Sequence, residues 1–197
     1  MSTLLHTYPF IMNMGPEEVR LPAAVVDELL ACSILLCGAY TDIRAQVSTS
    51  ISATDATPIR GGACRAVIPQ KLSNALFRRG EQRGEHGMLR WTDLEAENLP
   101  CHMQRPSADL DELVVALPWC DGRGFDFART LHINLQEMAA VIDEVQLRIS
   151  QGLRRSRVVI IIDSRVVVGA IAKGRSSSKP LNAMLRKLSM SCMCARV

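Results

Sequence analysis

The chain of 197 residues has no pair of cysteines at C-x-x-C spacing. Its seven cysteines are Cys32, Cys37, Cys64, Cys101, Cys120, Cys192 and Cys194, and no histidine follows them at the interval of a zinc site. Zinc-finger and zinc-ribbon classes are therefore excluded, as is a secreted disulfide scaffold; an odd count without a framework fits reduced thiols in an intracellular compartment, with cytoplasm and nucleus both open. The N-terminus lacks a basic segment followed by a long apolar core, so no signal peptide is expected. The longest uncharged apolar stretch lies between Glu28 and Asp42, too short for a bilayer, and reads as a buried helix. There is no internal repeat, and no acid follows Asp163.

What is present is globular in composition: 48% hydrophobic and 22% charged residues. The charge is unevenly spread. Residues 148–197 hold eleven Lys/Arg and one acid, a net +10, which leaves −7 on residues 1–147 out of +3 overall. A basic C-terminal part suits a polyanion such as nucleic acid, while a solvated Arg-rich surface is the plainer explanation.

Periodicity gives a coarse order of elements. Residues 16–40 read as helix, with Val25, Val26, Leu29, Leu30, Ile34 and Leu35 at helical spacing. Val47, Thr49, Ile51 and Ala53 alternate as in a strand that ends at Thr54-Asp55-Ala56-Thr57-Pro58, with a turn marked by Pro58 and Gly61-Gly62. Ala63 to Ile68 reads as a second strand, Lys71 to Arg79 as a short helix and Met88 to Thr92 as a third strand. Residues 93–130, broken by Pro100, Pro106 and Pro118, read as an insertion or long connection with a small element at Leu113–Leu117. Beyond Asn134 the spacing of Leu135, Met138, Ala139, Ile142 and Ile149 predicts a helix stopped at Gly152. The β-branched run Val158–Ile162 predicts a central strand buried on both faces. Helices over Val166–Ala172 and Pro180–Met190 follow. Antiparallel strands followed by a βα pattern predict an α/β fold with a mixed sheet.

Three acids stand where that fold could gather them: Asp55 and Asp163 at strand ends, and Glu137 in the first turn of a helix. Clustered carboxylates repel unless a cation neutralises them, and hard cations such as Mg²⁺ (or Mn²⁺) take such oxygen ligands. Two such ions can hydrolyse a phosphodiester without a His, Cys or Lys nucleophile. Each acid also has a plainer use. Asp55 suits a turn, Asn134 and Glu137 suit a capping box, and Asp163 suits the cap of the next helix.

Several motifs occur in a telling order. Thr54-Asp55-Ala56-Thr57-Pro58 with Gly61-Gly62-Ala63 looks like a first strand and turn, and His132 to Ala140 like an "H-I-N-x-x-E-x-x-A" helix start. Ile162-Asp163-Ser164-Arg165-Val166-Val167 looks like a fourth strand with its Asp-Ser, and Gly174-Arg175-Ser176-Ser177-Ser178 with Leu181-Asn182 continues the likeness. Over roughly residues 45–190 the chain resembles the ribonuclease H-like domain of retroelement reverse transcriptase polyproteins.

The resemblance implies a ribonuclease H-like domain over residues 45–197 with an insertion at about 93–130. Residues 1–44 would be an N-terminal helical extension like a polymerase connection. It implies metal-dependent hydrolysis of the RNA strand in an RNA–DNA hybrid, with Asp55, Glu137 and Asp163 as metal-binding catalytic acids. Family members have a fifth strand and a final helix bearing a fourth acid. Here the sequence after Leu188 has no strand-plus-Asp pattern, so the fifth strand is expected to be incomplete and the domain C-terminally truncated. The alternative is therefore a catalytically inactive remnant of the same fold that binds nucleic acid or another partner. Chemistry alone adds Lys173, Arg175, Ser176, Ser177 and Ser178 as candidate phosphate contacts; their plainer reading is a helix stop and polar turn.

Overall fold

A computed structural model describes residues 4, 6–15, 20–38, 42, 44–81 and 108–197. The small, alternating residues after Ala45 form the short β1 (Gln46–Val47) and then β2 (Ser50–Ala56). The chain turns back into β3 (Arg60–Val67), antiparallel to β2 from Ser50 opposite Val67 to Ala56 opposite Gly61. Thr57 closes that turn: its hydroxyl donates to the Arg60 carbonyl and accepts from the Arg60 N–H, both at 3.0 Å. A third antiparallel strand, β4 (Trp119–Asp126), lies outside β3, with an irregularity between Ala63 and Arg65. On the other side of β2, β6 (Ile160–Ile162) runs parallel, Ser52 opposite Ile160 and Thr54 opposite Ile162. The four-stranded order is β4-β3-β2-β6, and β5 (Ser156–Arg157) pairs in parallel with β1 as a two-stranded sheet. The protein is thus α/β with a mixed sheet.

Seven helices are described: α1 (Thr7–Met12), α2 (Ala23–Leu36), α3 (Gln70–Glu81), α4 (Ala108–Ala116), α5 (Ile133–Ser150), α6 (Arg165–Lys173) and α7 (Lys179–Ala195). α5 crosses one face of the sheet. Its Met138, Val141, Ile142 and Val145 join Val167 and Ala170 of α6 and Leu181, Leu185 and Leu188 of α7 in one core. The opposite face carries Ile51, Ala66, Ile68, Leu76 and Leu117, with Leu72 of α3 and Leu113 of α4 against them. β6 and the residue before it serve both cores by alternation: Ile160 and Ile162 pack on the first, Val159 and Ile161 on the second. Full burial of side chains such as Met138, Ile51 and Leu181 contributes roughly 1.5–3 kcal/mol each relative to exposure.

The structure departs from the sequence reading in several places. The N-terminal helical stretch is shorter, Ala23–Leu36, and is preceded by the unforeseen α1. It is not a buried helix: only Val25 is buried, while Val26, Leu29, Leu30, Ile34 and Leu36 are exposed. Its apolar residues encircle the helix instead of forming one stripe, so packing against α1 covers few of them. The run Val158–Ile162 does not make a central strand. It lies at the sheet margin, half-buried throughout, and among the described residues no strand pairs with its outer edge. The third strand expected at Met88–Thr92 lies outside the described residues. The third antiparallel strand of the sheet is β4, inside the stretch 93–130 that had read as a connection. After Leu188 helix α7 simply continues to Ala195.

Candidate metal centre

The parallel pairing of β2 with β6 ends at Thr54 opposite Ile162. The next residue on each strand is an acid, Asp55 and Asp163, so the two leave the same edge of the sheet about one strand spacing apart, ~4.8 Å. Both are exposed. α5 brings the third acid across the sheet. One carboxylate oxygen each from Asp55, Glu137 and Asp163 all lie within 4.8 Å of one another.

The plainer uses of these acids do not hold. The cap of α5 falls two residues before the expected one: His132 is the N-cap, and its Nδ1 accepts from the Asn134 N–H at 3.3 Å. Glu137 is thereby the fifth helical residue, free to turn toward the sheet. Asp163 is not the cap of α6 either. Ser164 is, accepting from the Val167 N–H at 3.4 Å. Asp55 Oδ1 accepts the Ala56 N–H at 2.8 Å, but the turn itself is closed by Thr57.

Glu137 is 4% exposed. Its Oε1 accepts the Ala56 N–H at 3.2 Å, and its Oε2 is buried without a partner. Burial, then the charges of Asp163 and Asp55, push its pKa up to about 7. Two oxygens on residues next in sequence to Glu137 and Asp55 are in the same state. Thr54 Oγ1 has no partner, and Gln136 spends its Nε2 on the Pro58 carbonyl (2.5 Å) while its Oε1 has none. Buried polar atoms are normally satisfied, so a buried carboxylate oxygen without a partner, clustered with two other acids, calls for a donor or a cation. Ligands of one Mg²⁺ stand at most about 4.2 Å apart across the ion, so small rotations of the exposed Asp55 and Asp163 bring the cluster within its reach.

The other candidate residues stand apart from this cluster. α6 begins just after Asp163, and its nine residues carry Lys173 roughly 13 Å away. Gly174 ends α6 in the left-handed conformation (φ 62°), as a side chain-free residue readily does. Ser178 caps α7, accepting from the Leu181 N–H at 3.4 Å. The Ser176 hydroxyl accepts from the Ser178 N–H at 3.2 Å, and the Ser176 backbone is bracketed by Asn182 at 2.7 Å on both sides. Ser176 and Ser178 therefore work as turn and cap, whereas Lys173, Arg175 and Ser177 point to solvent.

A second polar cluster on α5 escaped the sequence reading. Glu144, 1% exposed, receives Arg65 Nε at 2.7 Å, Arg65 Nη2 at 3.1 Å and the Ser52 hydroxyl at 2.7 Å. Arg148 donates to Ser52 Oγ at 3.0 Å, Ser48 Oγ at 2.9 Å and the Ser50 carbonyl at 2.7 Å. The available signal was the spacing Glu137, Glu144, Arg148, which places all three on one side of a helix.

Comparison with known proteins adds nothing to this geometry: no protein-family model, curated protein or solved structure matches the chain. No described helix is long and apolar enough to cross a membrane.

Proposed function

We propose that the chain is a ribonuclease H-like domain of the retroelement type, binding Mg²⁺ or Mn²⁺ at Asp55, Glu137 and Asp163 and acting on the RNA strand of an RNA–DNA hybrid. One observation carries this reading. A buried carboxylate oxygen without a partner among the described residues, Glu137 Oε2, belongs to a cluster with two other acids. The motif resemblance supports it independently. So does the topology, since three antiparallel strands and a parallel fourth put the "T-D-A" and "D-S" motifs on neighbouring strand ends.

In this reading Asp55 and Asp163 offer their exposed oxygens from the sheet edge, and Glu137 offers Oε2 from the helix. The Ala56 N–H keeps Glu137 Oε1 in place. When bound, divalent ions would supply an activated water and would neutralise the charge on the scissile phosphate. The exposed Lys173 and Arg175 would meet phosphates farther along the strand.

One observation favours the inactive alternative: residues 164–197 contain no acid, so the fourth ligand implied by the resemblance has no counterpart there. A labelled RNA–DNA hybrid with Mg²⁺ or Mn²⁺ separates the two. Cleavage that is lost in Asp55→Asn supports the nuclease. Salt-sensitive binding without cleavage supports the binding module. Neither cleavage nor binding sinks both.

A further inference from the structure

The buried pairing of Glu144 with Arg65 and Arg148 asks for a role of its own. Taking ions out of water is costly, and aliphatic residues of similar size often give equal or greater stability, so stability alone is a weak account of it. Its placement suggests another. Glu144 follows Glu137 by seven residues, about 10 Å along the helix axis. Their partners on β2, Ser52 and Ala56, are four residues apart, about 13 Å along the strand. α5 is thus tied to β2 at two points of similar spacing. One tie, Glu137 to Ala56, is a single bond of 3.2 Å in a site where like charges push the helix away. The other is dense. The Ser52 hydroxyl donates to Glu144 and accepts from Arg148, and Arg148 reaches Ser48 and Ser50 as well. Arg65 extends the tie to β3 and, through Nη1, to Gln151 Oε1 at 2.6 Å.

We infer that this cluster fixes the rotation and slide of α5 on the sheet, so that Glu144, Arg65 and Arg148 are positioning residues that hold Glu137 against Asp55 and Asp163. The inference rests on the metal reading above and names what keeps that site assembled when its own carboxylates repel. Sliding α5 by one residue would swing Glu137 by about 100° and break the Ser52 bonds at the same time.

The test is titration of the full chain with Mn²⁺ alone at pH 8. It compares wild type, Glu137→Gln, Glu144→Gln and the aliphatic triple variant Arg65→Met/Glu144→Leu/Arg148→Met, each with its unfolding curve. The expected result is a triple variant that unfolds cooperatively yet binds Mn²⁺ about tenfold or more weakly than wild type. If the triple variant does not fold, Glu144→Gln decides, read well below its unfolding midpoint, with a weaker affinity again expected. A folded variant of either kind that binds Mn²⁺ as tightly as wild type overturns the positioning role while leaving the metal site standing. Wild-type binding that is absent, or unchanged by Glu137→Gln, overturns the metal site and this inference with it.

Discussion

Glu137 and Glu144 lie two helical turns apart on the same side of α5, both buried, and among the described residues only Glu144 is matched by arginine. Arg65 binds Glu144 through two nitrogens, with Arg148 beside it across Ser52. Glu137 faces one backbone N–H and two more carboxylates. A helix that neutralises one buried acid and gathers like charges around the other has an environment suited to an external cation at the second.

Glu137→Gln should therefore stabilise the metal-free protein. It removes a carboxylate held against two like charges while keeping the oxygen that accepts from Ala56. The gain expected at pH 8 is on the order of 1–2 kcal/mol, less than the full effect because water screens the exposed Asp55 and Asp163. Urea unfolding in the presence of a chelator measures it. A destabilised Glu137→Gln protein would mean that the carboxylate is structurally satisfied after all.

The pH dependence follows with a definite sign. Between about 4.5 and 7 the folded chain holds a proton at Glu137 that the unfolded chain has released. Rising pH across that window thus favours unfolding, and the loss is complete above it. Metal-free wild type should lose stability relative to Glu137→Gln between pH 5 and pH 8. Binding of a divalent ion displaces the proton, so Mg²⁺ or Mn²⁺ should raise the melting temperature clearly at pH 8 and little at pH 5. Equal stabilisation at both values would point to ions bound elsewhere.

Gly61 offers a test of the sheet beside the site. A Cβ there would stand 2.6 Å from a ring carbon of Phe125 and 2.9 Å from one of Phe127, two rings packed edge to face at 5.3 Å. Gly61→Ala should cost about 1–3 kcal/mol through overpacking. Trimming one ring with Phe125→Leu should make the alanine better tolerated, a coupling that a double-mutant cycle in thermal unfolding reads directly. Simple additivity of the two changes would contradict the close approach.

The two residues after β6 should separate by function. Ser164→Ala removes the N-cap of α6 and should cost about 1 kcal/mol of stability with or without metal. Asp163→Asn should spare the metal-free protein and weaken Mn²⁺ binding. Unfolding curves recorded with and without the ion distinguish them, and a metal-free loss in Asp163→Asn equal to that of Ser164→Ala would return Asp163 to a capping role.

Much of this arrangement can be read in the sequence. The alternation around Ile51, the run from Ala63 to Ile68 and the long period from Leu135 to Ile149 correspond to β2, β3 and α5, because each pattern is local and strong; the turn expected to include Gly61-Gly62 is tighter, since both glycines already pair in β3 with Ala56 and Asp55. β4 is hidden because Gly122 and Gly124 interrupt its alternation and Pro118 stands at its start; only the paired Phe125 and Phe127 hint at a strand. The marginal place of β6 is invisible because a β-branched run reports hydrophobicity and not the number of neighbours. Bringing Asp55, Glu137 and Asp163 together was foreseeable, since strand ends and helix starts are where parallel pairing meets a crossing helix. The partners of Glu144 were not, because Arg65 and Ser52 lie on strands whose register has to be known first.

The bond from Arg148 to Ser48 joins positions 100 residues apart in the chain. During synthesis, β2 and β3 therefore emerge long before the helix that ties them down, and pairings of such long range form slowly. The acidic edge is complete only when α5 has docked and β6 has paired with β2. A nascent or clipped chain ending before Arg148 would carry Asp55 on a hairpin that lacks both the Arg148 tie and β6 with its Asp163.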